Sequence, residues 1–212
     1  GRGVATLTLN RPEKHNALSQ ALIDMMQDTV NGIAARSDIR VVVLTGAGTS
    51  FCAGGDLRWM QDQMAGDLAM KRAAAQSLAD LLGALNTLPQ PVIGRLQGNA
   101  FGGGVGLACV CDVVIAADHT KFGLTETKLG LVPATIGPYV LARMGEAHAR
   151  RVLMSSRIFN VHEAINLGIV AQVVPAADLD AAVEVEIAAY LQCAPGAVAA
   201  AKAYARSLGP VD

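Results

Sequence analysis

Two glycine-rich segments and one glutamate are the residues best suited to chemistry in this chain. CAGGD (Cys52 to Asp56) and FGGG (Phe101 to Gly104) each follow a run that reads as a buried strand. Glycine lets another atom come close to the main chain, so each segment can present N–H groups to an oxygen. Two such amides aimed at one carbonyl form an oxyanion hole, and losing one donor of this kind costs about 3 to 4 kcal/mol of transition-state stabilisation. The second segment would open a helix, where the dipole also favours negative charge. Tight turns or close helix packing are the other use of the same glycines. Neither segment follows GxGxxG with a later acidic residue, or GxxxxGK[ST], so phosphate loops of those types are not indicated.

The remaining polar residues are less pointed. Glu126 follows a strand-like run and can serve either as a general base or as a solvated or capping residue. Cys109 and Cys111 form a C-x-C pair inside an apolar run, without a second Cys or His pair at zinc-like spacing, so they read as small buried hydrophobes and no metal is expected. His15, His119, His148 and His162 are scattered, and nothing points to a Ser-His or Cys-His pair.

Positioning these residues falls to alternating strands and helices. Val4 to Leu9 alternates like a strand, and Leu18 to Ala35 carries apolar residues at helical spacing. Arg40 to Gly46 is a β-branched run of the kind buried on both faces, which favours a parallel sheet. Leu68 to Leu88 predicts a helix stopped by Pro89 and Pro91, and Pro91 to Gly98 a strand leading into the second glycine cluster. A short helix through Val110, a strand at Asp112 to Ala117, helices near Glu146 to Ser155 and Val161 to Leu167, and a strand at Val170 to Val174 follow. The pattern predicts an α/β layered core over 1–176 and a helical region over 177–212, broken only at Pro195.

Composition narrows the classes. The 212 residues hold 17 Lys and Arg against 18 Asp and Glu, a net charge of −1, and 52% are apolar. That leaves no strong field for nucleic acid and no reason for disorder. The longest stretch without a charge, Leu96 to Cys111, is 16 residues and contains Gln97 and Asn99, short of the roughly 20 that cross a bilayer. Four cysteines and no signal-like opening make a reducing cytoplasm the expected location. The first residue is Gly1 rather than Met, from which the natural protein is expected to extend beyond these ends.

As a set, RPEKHNAL (Arg11 to Leu18), FCAGGDL (Phe51 to Leu57), GNAFGGGVGLACVCD (Gly98 to Asp112) and FGLTETKLGLVP (Phe122 to Pro133) resemble the enoyl-CoA hydratase/isomerase, or crotonase, superfamily in order and spacing, over nearly the whole chain. The resemblance implies a spiral of ββα units assembled into trimers or hexamers. It also implies an acyl-coenzyme A thioester as substrate, with no cofactor beyond that coenzyme A. Carried over by position, Ala53 and Gly103 would supply the oxyanion amides and Glu126 the proton-transferring carboxylate. Arg11, Lys14, Asn16, Ala17, Cys52, Gly54, Asp56 and Leu57 fall in the segments that meet coenzyme A, with Arg11 and Lys14 suited to its phosphates.

One position departs from the two-glutamate hydratases of the family: Gly106 stands where their first glutamate lies. Together with LGLVPATIGPYV (Leu129 to Val140) this is similar to the branch of methylglutaconyl-CoA and isohexenylglutaconyl-CoA hydratases, whose substrates carry an extra carboxylate. The acyl pocket would then involve Gly106 and Pro133, with Arg58 or Arg143 as possible cations, although either arginine reads more readily as an ordinary surface or structural charge. Relatives usually continue several dozen residues further, with helices that help close the acyl pocket. Hydration of an enoyl-CoA is the expected activity. A Δ3,Δ2-enoyl-CoA isomerase and a non-catalytic acyl-CoA- or RNA-binding protein are the alternatives.

Overall fold

The computed structural model describes residues 2–209; Gly1 and the last three residues of the expected helical region lie outside the described residues. Three pairs of strands, each a longer one followed by a short one, organise the core. β1 (Val4–Leu9) precedes them, then come β2 (Val41–Gly46) with β3 (Ser50–Cys52), β4 (Val92–Leu96) with β5 (Asn99–Phe101), and β6 (Val113–Ala117) with β7 (Lys121–Gly123). β8 (Ile158–Asn160) and β9 (Gln172–Val174) close the set. The longer strands form a parallel sheet in the order β1-β2-β4-β6-β9, and the short ones a second sheet in the order β3-β5-β7-β8, antiparallel only between β7 and β8.

Every residue of β2 is buried, and the two sides of the strand explain why. Val42 and Leu44 join the main core, whereas Val41 and Val43 pack with Ile93, Ile115 and, from α8 (Leu179–Leu191), Leu179, Val183 and Ile187. A strand covered on both faces reads as continuous rather than alternating hydrophobicity. The expected helical region is therefore two helices, α8 and α9 (Pro195–Leu208), with Pro195 at the start of the second, where its missing N–H costs nothing. α8 shares a core with the sheet rather than trailing from it. Lys202 of α9 reaches in to Asp112 (2.7 Å), whose carboxylate also accepts from the Val92 amide (2.7 Å).

Helix boundaries follow their caps. α1 (Gln20–Ala34) begins after Ser19, whose hydroxyl accepts from the Leu22 amide, because Leu18 is held extended against Gly55. α2 (Leu57–Ala65) starts on Asp56, which accepts from the amides of Arg58 and Trp59, and α3 (Leu68–Thr87) starts on Asp67. Next come α4 (Gly103–Val110), α5 (Gly137–Met144), α6 (Glu146–Leu153) and α7 (Val161–Asn166). The sequence pattern did not show α2, α5 or the short strands. α2 is only nine residues long and buries none of them, and three-residue strands are too short to alternate visibly.

Candidate active site

Three segments converge at the ends of the short strands. Gly54 and Gly102 pack main chain to main chain: a β-carbon built on Gly54 would stand 3.0 Å from the Phe101 carbonyl oxygen. One built on Gly102 would stand 2.9 Å from Glu126 Oε1 and 3.7 Å from the Gly54 Cα. Both glycines have positive φ, +93° and +47°, which L side chains rarely adopt. Only residues without side chains allow the two turns and the carboxylate to meet so closely.

Gly55, Gly103 and Glu126 line one cavity of about 590 Å³, walled mainly by apolar side chains of α2, α3 and the 131–136 segment. Gly103 is the first residue of α4, so its N–H has no carbonyl one turn earlier to bind. The first turn requires a correction. The Ala53 amide donates to the His15 carbonyl (3.0 Å), so it is already spent on the 11–18 segment and cannot serve a ligand oxygen. Just after it, the Gly54 carbonyl accepts from the Leu18 amide (2.7 Å) and the Asp56 amide donates to the Leu18 carbonyl (2.8 Å). The Gly55 N–H between them is turned away from Leu18 and has no acceptor among the described residues. Gly55, which sequence reasoning passed over, is thus the open donor of this turn.

Glu126 begins a short 3-10 turn and is held on both sides. Its carbonyl accepts from the Leu131 amide (3.1 Å), and the neighbouring Thr127 hydroxyl is bonded to that of Ser156, a buried residue at φ +48°. Its carboxyl Oε2 is buried with no partner among the described residues. Burial pushes its pKa above the ordinary glutamate value, only partly offset by the bond from its own amide. Such a carboxyl can exchange protons closer to neutrality than an exposed one.

Gly106, where the resemblance leads one to expect a second glutamate, is buried on α4 and faces Ile136, whose Cγ2 would lie 2.5 Å from an added β-carbon. An apolar branch fills the space a second side chain would need, and Glu126 is the one acid in the cavity lining. Pro133 is in the lining. Arg143 is not: its guanidinium donates to the carbonyls of Cys109 (2.9 Å) and Cys111, capping the C-terminus of α4, where unpaired carbonyls and the dipole favour a cation. Arg58, exposed on α2, is also outside the lining, so neither arginine expected at the acyl group is there. The cation that does line the cavity is Lys71, from α3.

The residues expected around coenzyme A form a braced loop. Arg11 donates to the Ala17 carbonyl (2.9 Å) and pairs with Asp56 (3.1 Å). Asn16, buried at φ +56°, accepts from the Arg11 amide and donates to the carbonyls of Ala47 and Ser50. The Trp59 amide and Arg11 hold the Asp56 carboxyl below the usual range. Lys14 and Leu57 are exposed and Ala17 is buried. Cys52 is buried with its thiol pushed up to about 12, as are Cys109 and Cys111, which makes all three inert small hydrophobes. Among the described residues no cluster of three His, Cys, Asp or Glu could hold a metal, and no helix is long and apolar enough to cross a membrane.

Comparison with known proteins follows the same lines. The family description "Enoyl-CoA hydratase/isomerase" matches residues 1–207. Bacillus subtilis YngF, named for that family, is 37% identical over 206 residues, 94% of this chain and 76% of YngF. The enoyl-CoA hydratase AKT6-1 of Alternaria alternata is 36% identical over 157 residues, 73% of this chain, which spans half of AKT6-1. The crystal structure of an enoyl-CoA hydratase from Shewanella pealeana superimposes with a TM-score of 0.94 at 38% identity, covering 97% of this chain and 77% of that one. The paired strands, the juxtaposed glycine turns and these matches agree: the chain belongs to the enoyl-CoA hydratase/isomerase, or crotonase, family.

Proposed function

We propose that the chain adds water across the double bond of an α,β-unsaturated enoyl-CoA thioester. The observation that carries this reading is the unpaired, buried Glu126 carboxyl in the same cavity as two open amides. In the proposed reaction the thioester oxygen accepts from Gly55 and Gly103 N–H. Glu126 takes a proton from water as the water oxygen bonds to the β-carbon. The electron pair of the double bond moves onto the thioester oxygen as an enolate, which the two fixed dipoles stabilise without reorganising. The enolate then collapses as the proton returns from Glu126 to the α-carbon. With Gly106 blocked by Ile136, one carboxyl performs both transfers, a task suited to a pKa raised towards neutrality.

Coenzyme A would lie along the braced 11–18 loop, with exposed Lys14 free to meet a phosphate, whereas Arg11 is already committed to Asp56 and Ala17. The methylglutaconyl-CoA hydratase-like branch is our proposed substrate class, on the strength of Gly106. The test is a hydration assay with short, branched and carboxylated enoyl-CoAs. Replacing Glu126 with Gln is expected to lower kcat by about 10² to 10⁴; full activity in a folded variant removes the proposed base.

A single acid in the lining also favours one other reaction, proton transfer between the α and γ carbons of a Δ3-enoyl-CoA. Product analysis in ¹⁸O-labelled water separates the two, because hydration incorporates solvent oxygen and isomerisation does not.

A further inference from the structure

The Glu126 carboxyl has no side chain to hold it. Its Oε2 is buried without a partner among the described residues, and the one hydrogen bond that bears on its charge comes from its own amide. Its place therefore follows from the main chain that carries it, the 3-10 turn Glu126–Leu129 beyond β7. The ladder between β7 and β8 ends with Gly123 opposite Ile158, short of that turn. Past this pair a tie across is made by side chains: the Thr127 hydroxyl is bonded to that of Ser156.

Ser156 is the fixed end of that bond. It is buried, and its neighbour Arg157 bonds Glu163 (2.7 Å) and lies over the Phe159 ring, 5.8 Å from its centroid. Phe159 in turn stacks on Phe122 of β7, with ring centroids 5.8 Å apart. Ser156 also holds φ +48°, where glycine would sit without strain and the β-carbon of a serine crowds the main chain. A buried residue kept in such a conformation is a pointer to function, and what serine has that glycine lacks is the hydroxyl. Among the described residues that hydroxyl has one partner, Thr127.

We propose that the Ser156 and Thr127 hydroxyls form a clasp that positions the Glu126 carboxyl beside Gly102, where the glycine leaves room for it. Neither residue lines the cavity, so both act through Glu126. Without the clasp the turn swings and the carboxyl loses its register with the two open amides; a reacting group misplaced by about 1 Å costs up to about a hundredfold in rate. The inference rests on the hydration reading and adds to it what holds the base in place.

Two variants break the clasp from opposite sides. Ser156→Gly suits φ +48° and removes the hydroxyl while relieving strain, and Thr127→Val removes the partner at an exposed residue. In each, kcat for enoyl-CoA hydration should fall about ten- to a hundredfold with KM little changed, and in Ser156→Gly without loss of Tm. Thr127→Ser, which keeps the hydroxyl, should recover most of kcat. The double variant should be no slower than the slower single one, because the two groups act as a unit. The Glu126 carboxyl carbon, assigned in NMR spectra by its absence from Glu126→Gln, gives a readout apart from turnover. In Ser156→Gly its titration midpoint should drop towards the ordinary glutamate value as water reaches it, Lys71 being the only other charged group in the cavity lining. Parental kcat or a parental midpoint in Ser156→Gly overturns the clasp, as does additive loss in the double variant or a fall in Tm in step with kcat. If the parent hydrates no enoyl-CoA, the hydration reading fails, and the midpoint in Ser156→Gly decides the clasp by itself.

Discussion

The two glycine turns look interchangeable as sequence and behave differently in the fold. At Phe101–Gly104 the turn runs straight into α4, so an open amide follows from helix geometry alone. At Cys52–Asp56 the availability of each amide is decided by a third segment: residues 15 and 18 take the Ala53 and Asp56 amides and leave Gly55 open. A main-chain donor that starts a helix is thus legible from local pattern, whereas one in a loop depends on what packs beside it.

The largest effect expected from breaking this comparison is at Gly104, where an added β-carbon would lie 2.4 Å from the Cys52 carbonyl oxygen, an atom of main chain that cannot step aside. Gly104→Ala should cost about 3 kcal/mol or more and lower Tm by roughly 10 °C. Gly55→Ala meets only the flexible Met60 thioether at 2.9 Å and should cost less than about 1 kcal/mol. Equal losses in thermal denaturation would show that the turns are packed alike.

Next in size is the clasp of the first turn. Asp56→Ala removes both the α2 cap and the partner of Arg11, and should destabilise by about 1 to 2 kcal/mol in denaturant unfolding. Because α2 forms a wall of the cavity, the KM for enoyl-CoA should rise more than kcat falls.

Glu126 supplies a pH test. Its folded-state pKa is raised, so the folded protein holds a proton where the unfolded chain has lost it, and stability declines as pH rises from the ordinary glutamate range through the raised value. Glu126→Gln should therefore be more stable than the parent near neutral pH and equal to it in acid, by denaturant midpoints. In the parent, the acid limb of kcat/KM should lie at higher pH than an exposed carboxylate would give.

The smallest effect sharpens the contrast most directly. On titration with an acyl-CoA, the amide protons of Gly55 and Gly103 should move downfield in NMR spectra while that of Ala53 stays in place. Movement at Ala53 instead would restore the assignment carried over from the family resemblance.

Much of the scaffold was legible because burial writes itself into residue type. The β-branched run of β2, the helical spacing of α1 and the proline stops after α3 each report what surrounds them. The glutamate, the second glycine turn and the missing second acid at Gly106 could likewise be named from motif order. What filled the place of that acid could not, since Ile136 is 30 residues away and packs on Gly106 only once the fold brings the two segments together.

The amino-acid sequence by itself determined which segments turn, which are buried and which carboxyl is available, because these depend on neighbours within a few residues. Only the tertiary structure decided that Gly55 rather than Ala53 keeps its amide open, that Arg143 caps a helix, and that Lys71 is the cation lining the cavity. Hydrogen bonds and charges act between residues brought together by the fold, and the partner that claims a donor or a cation is set by distance in space, which local spacing does not record.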